Sequence, residues 1–166
     1  MLMIFHRQSM SGNLSTTLII SGAVLVIGIT FLTVFLPMLS KPESKLYLGD
    51  GVFSTEQALT NKAREKGLSG RSELMADQAL LMVFPSEDQW GIWMKDMSFP
   101  IDIVWLNKDK KVVYIVKNAP FDDQTTIYKP IKPAKYVVEL PTGTTTDKAI
   151  TLGKMAIFQV NGEVTN

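Results

Sequence analysis

Two acidic residues stand inside apolar stretches whose composition is typical of β-strands. Asp102 lies in the stretch IDIVWL (residues 101–106), and Glu139 lies in KYVVEL (residues 135–140). A carboxylate buried in a strand needs a hydrogen-bond or charge partner, because desolvation of an isolated charge is costly. Glycoside hydrolysis also uses two carboxyl groups, about 5–10 Å apart across a cleft. Asp102 and Glu139 are therefore candidates either for such a catalytic pair or for internal ion pairs.

The chain lacks the residues that many other catalytic and metal sites require. It contains no cysteine, and its single histidine, His6, precedes a long hydrophobic segment. Thiol nucleophiles, disulfides and thiolate metal sites are thereby excluded, as are Ser–His–Asp catalysis and His-ligated zinc after that segment. We expect no cofactor and no metal site.

Two further pairs are weaker candidates. Ser69 and Lys95 are the residue types of a Ser–Lys dyad, but the segment GLSGR (67–71) departs from G-x-S-x-G at its last residue. Asp122 and Asp123 offer too few ligands for Ca²⁺ and are more typical of a solvated loop.

The charges of the chain are balanced. The 17 basic residues oppose 16 acidic ones, and every one of them except Arg7 follows position 40. The region after position 40 is therefore formally neutral. Binding to nucleic acid relies on clustered Lys and Arg side chains that neutralise phosphates, so we expect no nucleic-acid partner.

The segment 14–39 contains no charged residue. About 20 apolar residues in a helix cross the hydrocarbon core of a bilayer, so this segment is predicted to be a transmembrane signal anchor. It follows a short tail (1–13) and is joined by a linker (40–44) to a soluble domain (45–166). A cleaved signal peptide is the alternative, but LPMLS (36–40) lacks a small-x-small cleavage site.

The orientation of this anchor follows from its flanks. Arg7 and the terminal amine stand before it, whereas Lys41 and Lys45 follow it, so the positive-inside rule is nearly balanced. A short tail before a long translocated domain favours an extracytoplasmic domain. Met10 is a second possible start, and starting there would remove Arg7.

The soluble part is predicted to be an α+β domain, mainly β, with a compact barrel-like or sandwich-like arrangement of seven or eight short strands and two short helices. Gly49-Asp50-Gly51 predicts a hairpin between 45–48 and 52–59. Thr60 predicts the N-cap of a helix over 61–66 that ends at Gly67. Further strands are predicted at 80–84, 90–95, 101–106, 111–117, 136–140 and 155–160, and the second helix at 144–150.

Three segments occur in a specific order and spacing: GLSGR (67–71), WMKDMSFPIDIVWL (93–106) and PAKYVVELPTG (133–143). With them the chain resembles the family known as domain of unknown function 192, from about residue 46 to 158. Members of that family look like small secreted or membrane-anchored domains without a settled activity, so the resemblance implies no catalytic role. The sequence departs from the family at Ala79, where a glycine is familiar, and at DMSFP (96–100), where N-T-x-x-P is familiar.

The resemblance concentrates on polar residues that core packing does not require. Arg71 offers a planar guanidinium for a carboxylate or phosphate, or for an internal pair with Asp102 or Glu139. Trp93 offers a ring on which a sugar can stack. The candidate binding residues are Arg71, Trp93, Lys95, Asp96, Asp102 and Glu139.

The leading hypothesis is a membrane-anchored, extracytoplasmic, non-enzymatic binding module for a small polar ligand, a glycan or a partner protein. The alternative is a carboxylate-dependent hydrolase that acts on envelope polysaccharide and uses Asp102 and Glu139. A third interpretation makes the polar residues purely structural.

Overall fold

The computed structural model describes residues 44–165. The predicted tail (1–13), the predicted transmembrane segment (14–39) and residues 40–43 of the linker lie outside the described residues. Within residues 44–165, no helix is long and apolar enough to cross a membrane.

The described chain forms nine strands and two short helices. In chain order they are β1 (Ser44–Leu48), β2 (Gly51–Ala58), α1 (Asn61–Lys66), β3 (Gln78–Asp88), β4 (Ile92–Trp93), β5 (Ile101–Leu106), β6 (Val112–Ala119), β7 (Ile127–Tyr128), β8 (Ala134–Pro141), α2 (Thr144–Asp147) and β9 (Ala156–Ile157). The prediction of a mainly β domain with two short helices is confirmed.

The first hairpin and the first helix follow from local sequence signals. Gly49 adopts a positive φ of 59° in the turn between β1 and β2, a conformation that glycine reaches at little cost. The Thr60 side chain accepts a hydrogen bond from the backbone N–H of Ala63 at 3.2 Å, and α1 ends at Gly67. Both predictions are confirmed.

Seven strands form one sheet in the order β6-β5-β8-β3-β2-β1-β9, and β4 pairs with β7 in a separate two-stranded sheet. Only β2 and β3 run parallel, and α1 lies in the connection between them. The large sheet curls until its two edges approach each other. The backbone at Lys111, next to β6, forms a bridge with Met155, next to β9.

Apolar side chains cover both faces of the sheet. The inner face, which the curled sheet encloses, includes Leu81, Val104 and Val138. The outer face includes Met82 and Trp105, and is covered by chain from the α1 and β4 regions. Because successive side chains of a strand alternate between faces, β5 is buried along its whole length.

Several strand boundaries differ from the prediction. β3 continues through Pro85 to Asp88, and its pairing with β8 is irregular between Val83 and Asp88, which is where a strand tolerates proline. β4 is shorter than the strand predicted over 90–95, and β9 is shorter than that predicted over 155–160. β7 was not predicted.

Candidate functional site

A cavity of about 280 Å³ lies between α1 and the outer face of the sheet. Its lining comes from α1 and the turn after it, from Met82 and Phe84 of β3, from the segment around β4, and from Glu139 of β8. We call it the Glu139 cavity.

Most of the wall of the Glu139 cavity is apolar. Met82, Phe84, Ile92 and Met97 are buried around it. Trp90 stacks on Phe84 with a ring-centroid distance of 4.4 Å and an interplanar angle of 10°. The indole N–H of Trp90 also donates to the backbone carbonyl of Ser86 at 3.0 Å. These two contacts hold the indole in one orientation against the cavity.

Glu139 is the buried acid of this cavity. In β8 it lies opposite Leu80 of β3 and Ile103 of β5, so its side chain projects from the outer face. It is only 3% exposed, and none of residues 44–165 forms a hydrogen bond with its Oε2 atom. Burial raises the pKa of the Glu139 carboxyl to about 8, although the positive charge of Arg71 acts in the opposite direction. The carboxyl is therefore mostly neutral at pH 7.

Gly67 keeps space open beside this carboxyl. A Cβ atom at position 67 would lie 3.2 Å from the terminal methyl carbon of Met82 and 3.8 Å from Glu139 Oε2. The backbone of Gly67, with φ 49° and ψ −130°, is also one that other residues rarely adopt. Glycine at this position thus ends α1 and leaves room beside the carboxyl.

Arg64 contributes a fixed positive charge to the cavity wall. Its guanidinium donates to the backbone carbonyls of Leu59, Val83 and Thr165 at 2.8–2.9 Å. It also lies 5.2 Å from the centroid of the Phe84 ring, which is cation–π distance. Because carbonyls rather than carboxylates satisfy these donors, the charge is not neutralised by an ion pair within the described region.

A more open depression adjoins the Glu139 cavity, and we call its residues the rim. Three lysines and two acids give the rim its charge. The rim consists of Lys62, Glu65, Lys66, Ser69, Trp93, Lys95 and Asp96. Four of these residues, Glu65, Lys66, Ser69 and Trp93, also line the cavity.

Hydrogen bonds join two of the family-like segments at the rim. The Ser69 hydroxyl donates to the backbone carbonyl of Lys95 at 2.7 Å, and the Gly70 N–H donates to the carbonyl of Asp96 at 3.0 Å. The Lys95 amine lies 5.3 Å from the centroid of the Trp93 ring. The Ser69 hydroxyl therefore bonds the Lys95 backbone, and the geometry does not support a Ser–Lys dyad.

Asp102 lies on the other face of the sheet. It is fully buried and accepts hydrogen bonds from the backbone N–H and the hydroxyl of Thr145, at 2.8 and 2.6 Å, and from the Asn118 N–H at 2.9 Å. These bonds tie β5 to α2 and β6. Since Asp102 and Glu139 project from opposite faces, they do not flank a common cleft, and the predicted catalytic pair is wrong.

Arg71 has a partner that the sequence did not suggest. Its guanidinium forms an ion pair with Glu56 of β2 at 2.6 Å, and both side chains are partly exposed. The predicted pairing with Asp102 or Glu139 is therefore wrong.

In the loop before β7, the Asp123 carboxylate accepts hydrogen bonds from Thr125 and Thr126, and the Thr126 hydroxyl is the main cause of its lowered pKa.

Four of the predicted site residues meet at one place. Trp93, Lys95, Asp96 and Glu139 line the cavity or its rim, whereas Arg71 and Asp102 do not line either. The sequence interpretation missed the contributions of α1 and of Phe84 and Trp90. The spacing of Lys62 and Lys66 could have indicated the contribution of α1, because the two lysines are one turn apart on the predicted helix and share a face.

The family model for DUF192, described as an uncharacterized ACR, matches residues 46–158. The chain belongs to the DUF192 family. The three segments that carried the resemblance each contribute to the cavity of this DUF192 domain, through Gly67 to Ser69, through Trp93 and Met97, and through Glu139. No curated protein matches the chain significantly.

Two solved structures share the fold of this DUF192 domain. A candidate transcription regulator from Sinorhizobium meliloti 1021 is 24% identical with a TM-score of 0.67, and the alignment covers 72% of this chain and 96% of that one. A protein of unknown function from Novosphingobium aromaticivorans DSM 12444 is 26% identical with a TM-score of 0.64, and the coverage is 69% and 83%.

Proposed function

We propose that this DUF192 domain is a non-enzymatic binding module that receives a small molecule in the Glu139 cavity. One observation carries the proposal: Glu139, only 3% exposed, lines a cavity of about 280 Å³, and no residue in the described part of the chain forms a hydrogen bond with its buried Oε2 atom. Buried polar atoms are rarely left unpaired. In this proposal, a molecule bound in the cavity supplies the missing partner.

The composition of the cavity supports binding rather than catalysis. Sites for small molecules are concave and mostly apolar, with a few polar groups that orient the ligand. Here the apolar groups are those around Phe84 and Trp90, and the orienting group is Glu139. Asp102, the predicted partner of Glu139 in a glycosidase pair, lies on the other face of the sheet and therefore does not stand across the cavity from Glu139.

The proposal includes an extracytoplasmic location. It rests on the uncharged segment 14–39 and on the short tail before it. A domain on that side of the membrane would meet small molecules, glycans or partner proteins outside the cell.

Thermal unfolding of the full-length chain in detergent micelles, against a panel of small metabolites and saccharides, tests the site. Ligands that raise the melting temperature should lose about tenfold in affinity in Glu139→Leu, because roughly one hydrogen bond is removed. Leucine is similar in size and carries no buried charge, so this variant should fold.

Glu73→Gln is the matched control, since it changes an exposed glutamate in a loop outside the cavity. It should bind like the unmodified chain. Ligands that keep their full affinity in Glu139→Leu would place the site elsewhere, and a panel without any ligand up to about 10 mM would reject the function.

A further inference from the structure

We propose that the Glu139 cavity takes a small organic anion: an apolar, planar body in the cavity, a neutral hydroxyl or carbonyl group at Glu139, and the negative charge at the rim. This inference rests on the proposed function and names its ligand class.

The charge of the site is the first argument. Four cationic side chains, Lys62, Arg64, Lys66 and Lys95, line the cavity and its rim, against the acids Glu65 and Asp96. The region after position 40 is formally neutral as a whole, so this local excess is a property of the site. Among residues 44–165, neither Lys62 nor Lys66 takes part in an ion pair. An anion at the rim would be attracted by these free amines.

The state of Glu139 is the second argument. The charged groups around it are Arg64, Glu65 and Lys66 of α1, and Arg71 in the following loop. With its pKa raised to about 8 by burial, the carboxyl is mostly neutral at pH 7 and does not repel an anion. A neutral carboxyl can also donate a hydrogen bond, which an ionised one cannot. It therefore suits an uncharged oxygen at the buried end of the ligand.

The shape of the site is the third argument. An apolar cavity of about 150 Å³ holds benzene, so a cavity of about 280 Å³ holds roughly ten to twelve non-hydrogen atoms. The stacked rings of Phe84 and Trp90 and the thioethers of Met82 and Met97 provide flat and adaptable apolar walls. These dimensions fit a single substituted ring better than a disaccharide.

Three probes of one shape test the ligand class: 4-hydroxyphenylacetate, its amide, and tyramine. They share a phenol ring and differ in carrying an anionic, a neutral or a cationic end. Binding to the full-length chain in detergent is measured at pH 7 by tryptophan fluorescence and by saturation-transfer NMR. We expect the acid to bind at least fivefold more tightly than the amide, and tyramine to bind most weakly.

Two double variants test whether the preference for the acid comes from the rim lysines or from the overall charge of the domain. Lys62→Gln with Lys66→Gln should bring the acid to within twofold of the amide. Lys108→Gln with Lys154→Gln removes the same charge from exposed positions outside the cavity and rim, and should leave the preference unchanged.

The outcomes distinguish the two proposals. If the amide or tyramine binds as tightly as the acid, and Glu139→Leu weakens them all, the anion class is wrong and the binding site stands. If the preference for the acid survives the loss of Lys62 and Lys66, the rim assignment is wrong. If none of the three probes binds up to about 10 mM, the ligand class is wrong, and the metabolite and saccharide panel alone decides whether the binding function stands.

Discussion

Glu139 links the protonation of one side chain to the stability of the domain. Its ordinary pKa is 4.5, and burial raises it to about 8 in the folded state. The folded state therefore binds the proton more tightly than the unfolded state does. This tighter proton binding contributes to the free energy of unfolding. The contribution is fully present below about pH 4.5 and is lost as the pH rises through about 8.

Glu139→Gln should remove this pH dependence, since the amide does not titrate. The unmodified chain should lose up to roughly 4 kcal/mol of unfolding free energy between pH 5 and pH 8.5, because each pKa unit corresponds to about 1.4 kcal/mol. Urea denaturation at several pH values measures the loss. Glu73→Gln should behave like the unmodified chain, and parallel curves for Glu139→Gln and the unmodified chain would contradict the role given to this carboxyl.

Burial of both strand carboxylates was predictable from the sequence, but their separation was not. Asp102 and Glu139 each have apolar neighbours in the chain, which indicated that they are buried. The face that each side chain occupies depends on the register between β5 and β8, where a shift by one residue would exchange the faces. No local pattern fixes that register.

At the scale of elements, the best predicted parts are those that local interactions specify. α1 has its N-cap at Thr60 and ends at Gly67, and β5 has the predicted limits, with Pro100 before it and the polar turn NKDK (107–110) after it. β7 is two residues long and exists because Ile127 and Tyr128 meet β4 across the chain. Such short pairings depend on tertiary contacts that sequence patterns do not carry.

The first hairpin and α2 meet at Gly49. A Cβ atom on Gly49 would lie 2.1 Å from the carbonyl oxygen of Lys148, and the Asp50 N–H donates to that same oxygen at 2.8 Å. The position thus needs glycine both for its positive φ and for close approach of the two backbones.

Gly49→Ala should destabilise the domain by at least about 3 kcal/mol, since it combines strain with a steric overlap. Gly153→Ala is the matched control, because φ is +82° there and a Cβ would meet nothing within 4 Å. Gly153→Ala should lower the free energy of unfolding by only about 1 kcal/mol. Equal losses in chemical denaturation would show that the contact with Lys148 contributes nothing.

At the scale of the whole molecule, the cavity is built from segments that are distant in the chain. α1, the segment around β4 and β8 each supply part of the lining, so none of them alone carries the site. The sequence indicated the rim residues Trp93 and Lys95 through family resemblance, but their meeting with the lysines of α1 depends on the complete fold.

The proposed transmembrane anchor at residues 14–39 can be tested in the full-length chain. When the chain is expressed in a bacterium, alkaline carbonate should leave it in the membrane fraction, and protease added to spheroplasts should digest residues 45–166. Leu25→Arg with Ile29→Arg should release the chain, because each charge costs about 3 kcal/mol near the bilayer centre. Extraction of the unmodified chain by carbonate would contradict the anchor, and protection of the domain from protease would reverse its orientation.

The pairing of β1 with β9 has a consequence for synthesis. Tyr47 lies opposite Ile157, so the first strand of the domain finds its second neighbour in the last one. During translation, β1 can pair with β2 as soon as the hairpin has left the ribosome, but its other edge stays unpaired until residues 156 and 157 have been made. Ribosomes that stall before residue 156 would therefore hold a domain with an unpaired edge, a state open to proteases and to association with other unfinished chains.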